Sequence, residues 1–279
     1  MKQLFFPAAI AAIILTGLPG APALAQNLSD TLLELEPVVT SGSLSRPVSM
    51  VFLSENDLLV AEQHTGRVRR VIDGAVQTGD VLDLPVATSN EQGLLSILLH
   101  PEFESNSYVY VYYTHAVSDG AQDEEQRINR YTWDGSSLVS GTTILTLPST
   151  PGNNHNGGVM VFGPPGEAPA DQKLFVVIGD LNRNGQLQNV ETGPAPDDTG
   201  CILRINDDGT TPSGAEKGPF HDVAGGNASL ERLYAYGVRN SFGIGFDPLT
   251  DILWNTENGP GTFDEINLVS PGFNSGWED

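Results

Sequence analysis

The sequence predicts an all-β fold, a β-propeller, from three observations. Its apolar runs are short, rich in β-branched and aromatic residues, and closed by Gly, Pro, Asn or Asp, which is the punctuation of strands and not of helices. Leu58–Val60, Val68–Ile72, Tyr108–Tyr113, Leu174–Ile178, Ile202–Ile205 and Ile266–Val269 are the examples. The 31 glycines and 19 prolines supply frequent turns. The runs also recur as a unit, an apolar strand ending in Phe or Leu, a turn, then a second apolar strand. The unit begins at Val51-Phe52-Leu53, Leu98-Leu99, Val161-Phe162 and Gly245-Phe246, and returns at Leu58–Glu62, Tyr108–Val111, Leu174–Val177 and Ile252–Trp254. The intervals of about 50 to 80 residues suit four-stranded blades of about 40–50 residues with connecting loops. A β-sandwich with similar strands is the alternative at this level.

The N-terminal segment reads as an export signal. Lys2 is the positive n-region, Phe5 to Leu18 is apolar but short for a bilayer span, and Ala23-Leu24-Ala25 is a small-x-small cleavage site. Residues 1–25 are therefore expected to be removed, leaving 26–279 as one periplasmic or secreted domain without a stable membrane span. The lone Cys201 can make no intramolecular disulfide, and its place at the head of Cys201-Ile202-Leu203 reads as a small buried hydrophobe. With 13 basic against 35 acidic residues the chain carries a net charge of −22, which repels phosphate backbones and argues against nucleic acid as a partner.

Five segments at strand ends carry polar side chains suited to chemistry. They are Glu91-Gln92-Gly93-Leu94-Leu95, Asn153-Asn154-His155-Asn156-Gly157-Gly158, Gly179-Asp180-Leu181-Asn182-Arg183-Asn184, Tyr236-Gly237-Val238-Arg239-Asn240, and Glu257-Asn258-Gly259-Pro260 followed by Asp264-Glu265-Ile266-Asn267. If the first strands of successive blades share a direction, the segments before them converge on one mouth of a central channel. Singly, each has a structural reading: a turn cap, a hydrogen-bonded histidine, an Arg-Asn pair bracing a blade junction, a Gly-Pro turn. The stretches 179–198 and 206–230 are expected to be long loops.

In order along the chain, Gln-Gly-Leu-Leu, His-x-Gly-Gly, Ile-Gly-Asp, Ile-Leu-Arg-Ile, Tyr-Gly-x-Arg-Asn, Glu-x-Gly-Pro with Asp-Glu-Ile-Asn-Leu, and Gly-Trp resemble the soluble quinoprotein aldose (glucose/sorbosone) dehydrogenases, from about Arg46 to Trp277. The resemblance implies a six-bladed propeller that oxidises the anomeric hydroxyl of aldose sugars to lactones with pyrroloquinoline quinone (PQQ) and Ca2+, passing electrons to an external acceptor. It implies His155 as general base, an imidazole having its pKa near neutrality. Arg239 would pair with the quinone oxygens, and Gln92 and Asn240 would contact cofactor and sugar. The carbonyls of Gly259 and Pro260 would hold the calcium, a hard ion that accepts such ligands. The glycines after His155 are expected to allow close approach of the cofactor.

Asn154 stands where glucose-specific members resemble an Asp, and the glutamine of Asn182–Gln186 is shifted by one, which leaves the sugar open. The repeats amount to about four blades, so an open arc is expected, C-terminally incomplete relative to the family, with apolar faces exposed around Val51–Val60 and Ile252–Val269. A non-catalytic extracellular binding propeller and a calcium-dependent lactonase are the alternative functions; His155, Arg239 and Gly259-Pro260 together favour the dehydrogenase.

Overall fold

The computed structural model describes residues 33, 37–39, 43–165, 172–183 and 196–277. The expected export signal lies outside them, as do Asn184–Gln186. Among the described residues no helix is long and apolar enough to cross a membrane.

The described residues form four antiparallel sheets in sequence order, the blades of a propeller arc. The first contains β1 (Pro47–Ser54), β2 (Asp57–Glu62) and β3 (Arg67–Ile72), with the two-residue strands β4 (Ala75–Val76) and β5 (Leu82–Asp83) both paired to β3. The second is β6 (Leu94–Leu99), β7 (Tyr108–Ala116), β8 (Asp123–Trp133) and β9 (Leu138–Leu147). The third is β10 (Met160–Phe162), β11 (Leu174–Ile178), β12 (Cys201–Ile205) and β13 (Leu233–Tyr236). The fourth, β14 (Ser241–Phe246), β15 (Leu253–Glu257) and β16 (Glu265–Val269), has three strands. Among the described residues the α-helices are two short pieces, α1 (Phe103–Asn106) and α2 (Ala228–Arg232), the latter capped by the Asn227 side chain, which accepts from the Ser229 and Leu230 N–H groups at 2.9 and 3.2 Å.

Period-two alternation decides how the blades stack. On β7, Val109 and Val111 join Leu94 and Ile97 against Leu59, Ala61 and Val68 of the first blade. The intervening Tyr110 and Tyr112 face the other way, against Leu174, Val176, Ile178, Cys201 and Leu203 of the third. On β11 the same division repeats: Phe175 and Val177, with Ile202 and Ala235, pack on Leu253 and Val269 of the fourth blade. Strands buried on both faces have nowhere to place polar residues, which is why β7 and β11 stand out in the sequence as unbroken apolar runs. The tyrosines bring polar tips into this core, and the Tyr112 hydroxyl donates to Gln126 Oε1 at 2.8 Å. Burial raises its phenol well above the ordinary value. Cys201 is fully buried, as expected of a small hydrophobe, and burial likewise raises its thiol.

Among the described residues, none of the four apolar clusters joins the first blade to the fourth. The outward side of the fourth is exposed at Phe242, Trp254, Ile266 and Leu268, in keeping with the expected open face. The first blade departs from expectation. Val48 and Phe52 of β1 are exposed, but Leu58 and Val60 are buried, because Leu44, together with Val39, folds over them and over Val71. The segment ahead of β1 thus covers an apolar face that the strand pattern alone left open.

Candidate functional site

Antiparallel pairing places the start of a first strand beside the end of the second strand of the same blade. Residues 89–93 lead into β6, 153–158 towards β10 and 237–240 into β14; residues 179–183 leave β11 and 257–260 leave β15. The structure brings all five segments to one rim through a continuous set of contacts.

Glu91 is the hub. Its Oε2 accepts the His155 N–H at 2.6 Å and the Asn156 N–H at 3.4 Å, and both of its oxygens lie 3.2 Å from Asn240 Nδ2. One carboxylate therefore ties the entries to the second, third and fourth blades. The amide it holds belongs to a strained residue: His155 has φ +60°, a left-handed conformation costly for a residue with a Cβ and sustained when its surroundings fix it.

The imidazole is held as firmly as its backbone. His155 is nine-tenths buried, and Nδ1 lies 2.5 Å from Asp180 Oδ1. A carboxylate oxygen accepts, so this contact puts the ring proton on Nδ1 and leaves the lone pair on Nε2. Asp180 is itself fixed: Oδ2 accepts from Trp277 Nε1 at 2.8 Å, Oδ1 from the Asn182 N–H at 3.0 Å, and its own N–H donates to the Arg239 carbonyl at 2.9 Å. Trp277 reaches this position because residues 272–277 run back along β13, with Ser275 N–H donating to the Tyr236 carbonyl at 2.8 Å and Trp277 N–H to Gly237 at 3.0 Å. The Arg239 guanidinium lies 5.2 Å from the Trp277 ring centroid, a cation–π contact, while Nη1 donates to the Asn258 carbonyl at 2.8 Å.

Glu257 performs for Arg239 the office Glu91 performs for His155. Its Oε1 accepts the Arg239 N–H at 2.6 Å, and Oε2 accepts the Ser275 hydroxyl. Burial raises the Glu257 carboxyl above its ordinary value, against the opposing pull of those two donors. With both oxygens engaged, the carboxylate of Glu-x-Gly-Pro is structural. Gly259 and Pro260 follow on a tight turn closed by the Gly259 N–H donating to Asp264 Oδ1 at 3.0 Å, and their carbonyls accept no backbone hydrogen bond from the described residues. Among the described residues, no three His, Cys, Asp or Glu side chains are grouped as metal ligands.

Several buried polar atoms at the rim have no partner: Gln92 Nε2, both amide atoms of Asn156, Arg239 Nε and Asn240 Oδ1. Leaving such a group unpaired costs about 1–3 kcal/mol, so their collection at one place marks a surface shaped for a polar ligand.

The glycines after His155 have a packing role that the sequence did not announce. A Cβ on Gly157 would stand 2.7 Å from the Val177 carbonyl oxygen, and one on Gly158 would stand 2.8 Å from Leu95. They let the loop lie on β11 and the second blade. Beside the His–Asp pair the backbones crowd at Gly179, where a Cβ would meet the His155 and Arg239 carbonyl oxygens at 2.3 and 2.5 Å. Of the expected residues, Gln92, His155, Arg239 and Asn240 are gathered here, with Gly259 and Pro260 attached through Asn258. The parts played by Glu91, Asp180, Glu257 and Trp277 were not assigned from the sequence; each lay inside a motif, but only long-range pairing reveals what it holds.

A propeller with a buried His–Asp pair and an arginine on one inner rim defines a class of protein, and comparison with known proteins gives its family. Residues 44–279 match the Glucose / Sorbosone dehydrogenase family model, and the chain belongs to that family. It is 28% identical over 260 residues to quinoprotein glucose dehydrogenase B of Acinetobacter calcoaceticus, covering 86% of this chain and 51% of that one. It is 27% identical over 241 residues to an aldose sugar dehydrogenase of Escherichia coli, covering 86% and 60%. The PQQ-bound aldose sugar dehydrogenase of Streptomyces coelicolor superposes with a TM-score of 0.70 at 31% identity, covering 88% of this chain and 65% of that one. The chain thus spans between half and two thirds of the length of these relatives.

Proposed function

We propose that this protein contributes the catalytic rim of a quinoprotein aldose dehydrogenase, oxidising the anomeric hydroxyl of a sugar to the lactone. The observation that carries this reading is His155, its Nδ1 held by Asp180 and its Nε2 left with the lone pair, beside Arg239 on the same rim. His155 Nε2 takes the proton of the anomeric hydroxyl. Asp180 keeps the tautomer and stabilises the imidazolium that results.

The unpaired donors and acceptors of Gln92, Asn156, Arg239 and Asn240 suit PQQ, a planar ligand bearing carboxylates and carbonyl oxygens, and Arg239 offers a charged donor to such groups. When bound, the quinone supplies the two-electron oxidising power that no side chain has. The free carbonyls of Gly259 and Pro260 fit Ca2+, which takes carbonyl oxygen ligands. Names of relatives support the quinone; calcium rests on the loop chemistry alone. The electrons pass to an external acceptor. Export to the periplasm or beyond is part of the same reading, supported by Lys2, the apolar Phe5–Leu18 and Ala23-Leu24-Ala25.

The test is reconstitution of the purified protein with Ca2+ and PQQ, followed by aldose-dependent reduction of a dye. Quinone binding, read separately from its absorbance, is expected to weaken in Arg239→Ala. Unaltered quinone binding in that variant, or binding away from the rim, refutes the assignment.

A further inference from the structure

Residues 272–277 leave the fourth blade and run back along the third as a strap. The Gly272 N–H donates to the Tyr234 carbonyl at 2.8 Å, and the Tyr236 N–H donates to the Phe273 carbonyl at 2.9 Å. The strap thus follows β13, the last strand of the third blade, as far as Gly237. Gly237 has φ +71°, and a Cβ on it would stand 2.2 Å from Asn274 Oδ1 and 2.8 Å from the Gly276 nitrogen, so a glycine there lets the strap lie close. From the fourth blade, Asn267 Nδ2 donates to Ser275 Oγ at 3.3 Å, and the Ser275 hydroxyl donates to Glu257. Both blades therefore fix the strap before it delivers Trp277.

Trp277 meets the two groups on which the rim's chemistry turns. Its indole N–H donates to Asp180 Oδ2 at 2.8 Å, and its ring centroid lies 5.2 Å from the Arg239 guanidinium. Asp180 is 1% exposed, and Asn182 N–H donates to its other oxygen, Oδ1, at 3.0 Å. Donors on both oxygens resist rotation of the carboxylate and so aim Oδ1 at His155 Nδ1. Arg239 is held in a similar way, from one side by the ring and at Nη1 by the Asn258 carbonyl, while its Nε is buried without a partner.

We propose that Trp277 is a positioning residue for both groups. Through the indole N–H it holds Asp180, and thereby the Nδ1–H tautomer of His155. Through the ring face it holds Arg239 towards the ligand. It takes no proton itself, and its consequence for catalysis rests on the base and quinone reading above.

Substitution separates the two functions. Trp277→Phe keeps an aromatic face and removes the N–H, whereas Trp277→Leu removes both. Without quinone, nitrogen NMR of the neutral His155 ring should show the Nδ1–H tautomer in the parent and a mixture of tautomers in both variants. Quinone affinity, read from absorbance, should stay within about twofold in Trp277→Phe and fall about threefold or more in Trp277→Leu. In the reconstituted protein Trp277→Phe should lower kcat about tenfold with little change in KM for the aldose. An unchanged tautomer in Trp277→Phe, or equal quinone affinity in all three proteins, overturns the proposal. In the parent itself the Trp277 indole proton should exchange with solvent more slowly than that of the exposed Trp254, and equal rates overturn the proposal however the variants fold. The tautomer and binding readings need no turnover: if they come out as expected while no aldose is oxidised, the positioning role stands and the dehydrogenase reading falls.

Discussion

Removing the Glu91 carboxylate should loosen three blades at once. In Glu91→Ala, the His155 N–H, now 2.6 Å from an acceptor, and the Asn240 amide, 3.2 Å from two, lose their partner, and the weaker contact to the Asn156 N–H at 3.4 Å goes with them. Hydrogen bonds to a charged group contribute about 1.5–3 kcal/mol each, and orphaning a buried donor costs about 1–3 kcal/mol. Water reaching the partly exposed Glu91 position would satisfy some of these groups, so we expect a net loss of about 2–4 kcal/mol. His155, at φ +60°, loses what fixes its left-handed backbone. Urea unfolding should show a lower midpoint at unchanged slope, and hydrogen exchange at the His155 and Asn156 amides should accelerate more than at β7. Glu91→Gln, which retains one acceptor oxygen, should fall between. A loss below about 0.5 kcal/mol in Glu91→Ala, the size of an ordinary surface substitution, would refute the role of hub.

His155→Gln should lower aldose turnover about 100-fold or more in the reconstituted protein with little change in unfolding, and near-parental turnover removes it from the mechanism. Gly179→Ala should destabilise by about 2–4 kcal/mol, since its Cβ would meet two backbone oxygens that cannot rotate away; thermal unfolding measures this. Because folding raises the Glu257 pKa, the native state favours the protonated form. The stability of the parent relative to Glu257→Gln should therefore be greatest below the ordinary carboxylate value and decline as pH rises through the raised one, as read from Tm between about pH 4 and 7; a Tm difference that grows with pH would contradict it. Calcium titrations should show Glu257→Gln losing far less affinity than Gly259→Ala, whose Cβ would stand 1.9 Å from the Thr262 carbonyl oxygen; equal losses would indicate a side-chain site.

The strands buried on two faces were legible because burial leaves no choice of residue: Leu174–Ile178 and Tyr108–Tyr113 read as strands and are β11 and the core of β7. The strands β8, β9 and β13 were not picked out. Asp-Glu-Glu-Gln-Arg-Ile-Asn-Arg of β8 has one wetter face, and its buried Gln126 and Asn129 depend on hydrogen bonds that no local pattern announces. The cover that Leu44 and Val39 give to Leu58 and Val60 was hidden for a related reason, since a short apolar stretch does not name the face on which it will lie.

The sequence by itself determined the all-β class, the four repeated units, the burial of Cys201 and the order of motifs that marks the family, because each follows from local periodicity or from residue types in succession. It also brought His155, Arg239, Gln92, Asn240 and the Gly259-Pro260 turn into view as candidates. Only the tertiary structure decided what holds them. Glu91 meets Asn240 across 149 residues and Asp180 meets Trp277 across 97, and hydrogen bonds at such separations exist only after the blades have stacked. The same stacking gave the glycines after His155 to packing. Strand period is a property of neighbours in the chain, whereas the pairing of a buried polar group belongs to whatever the fold brings against it.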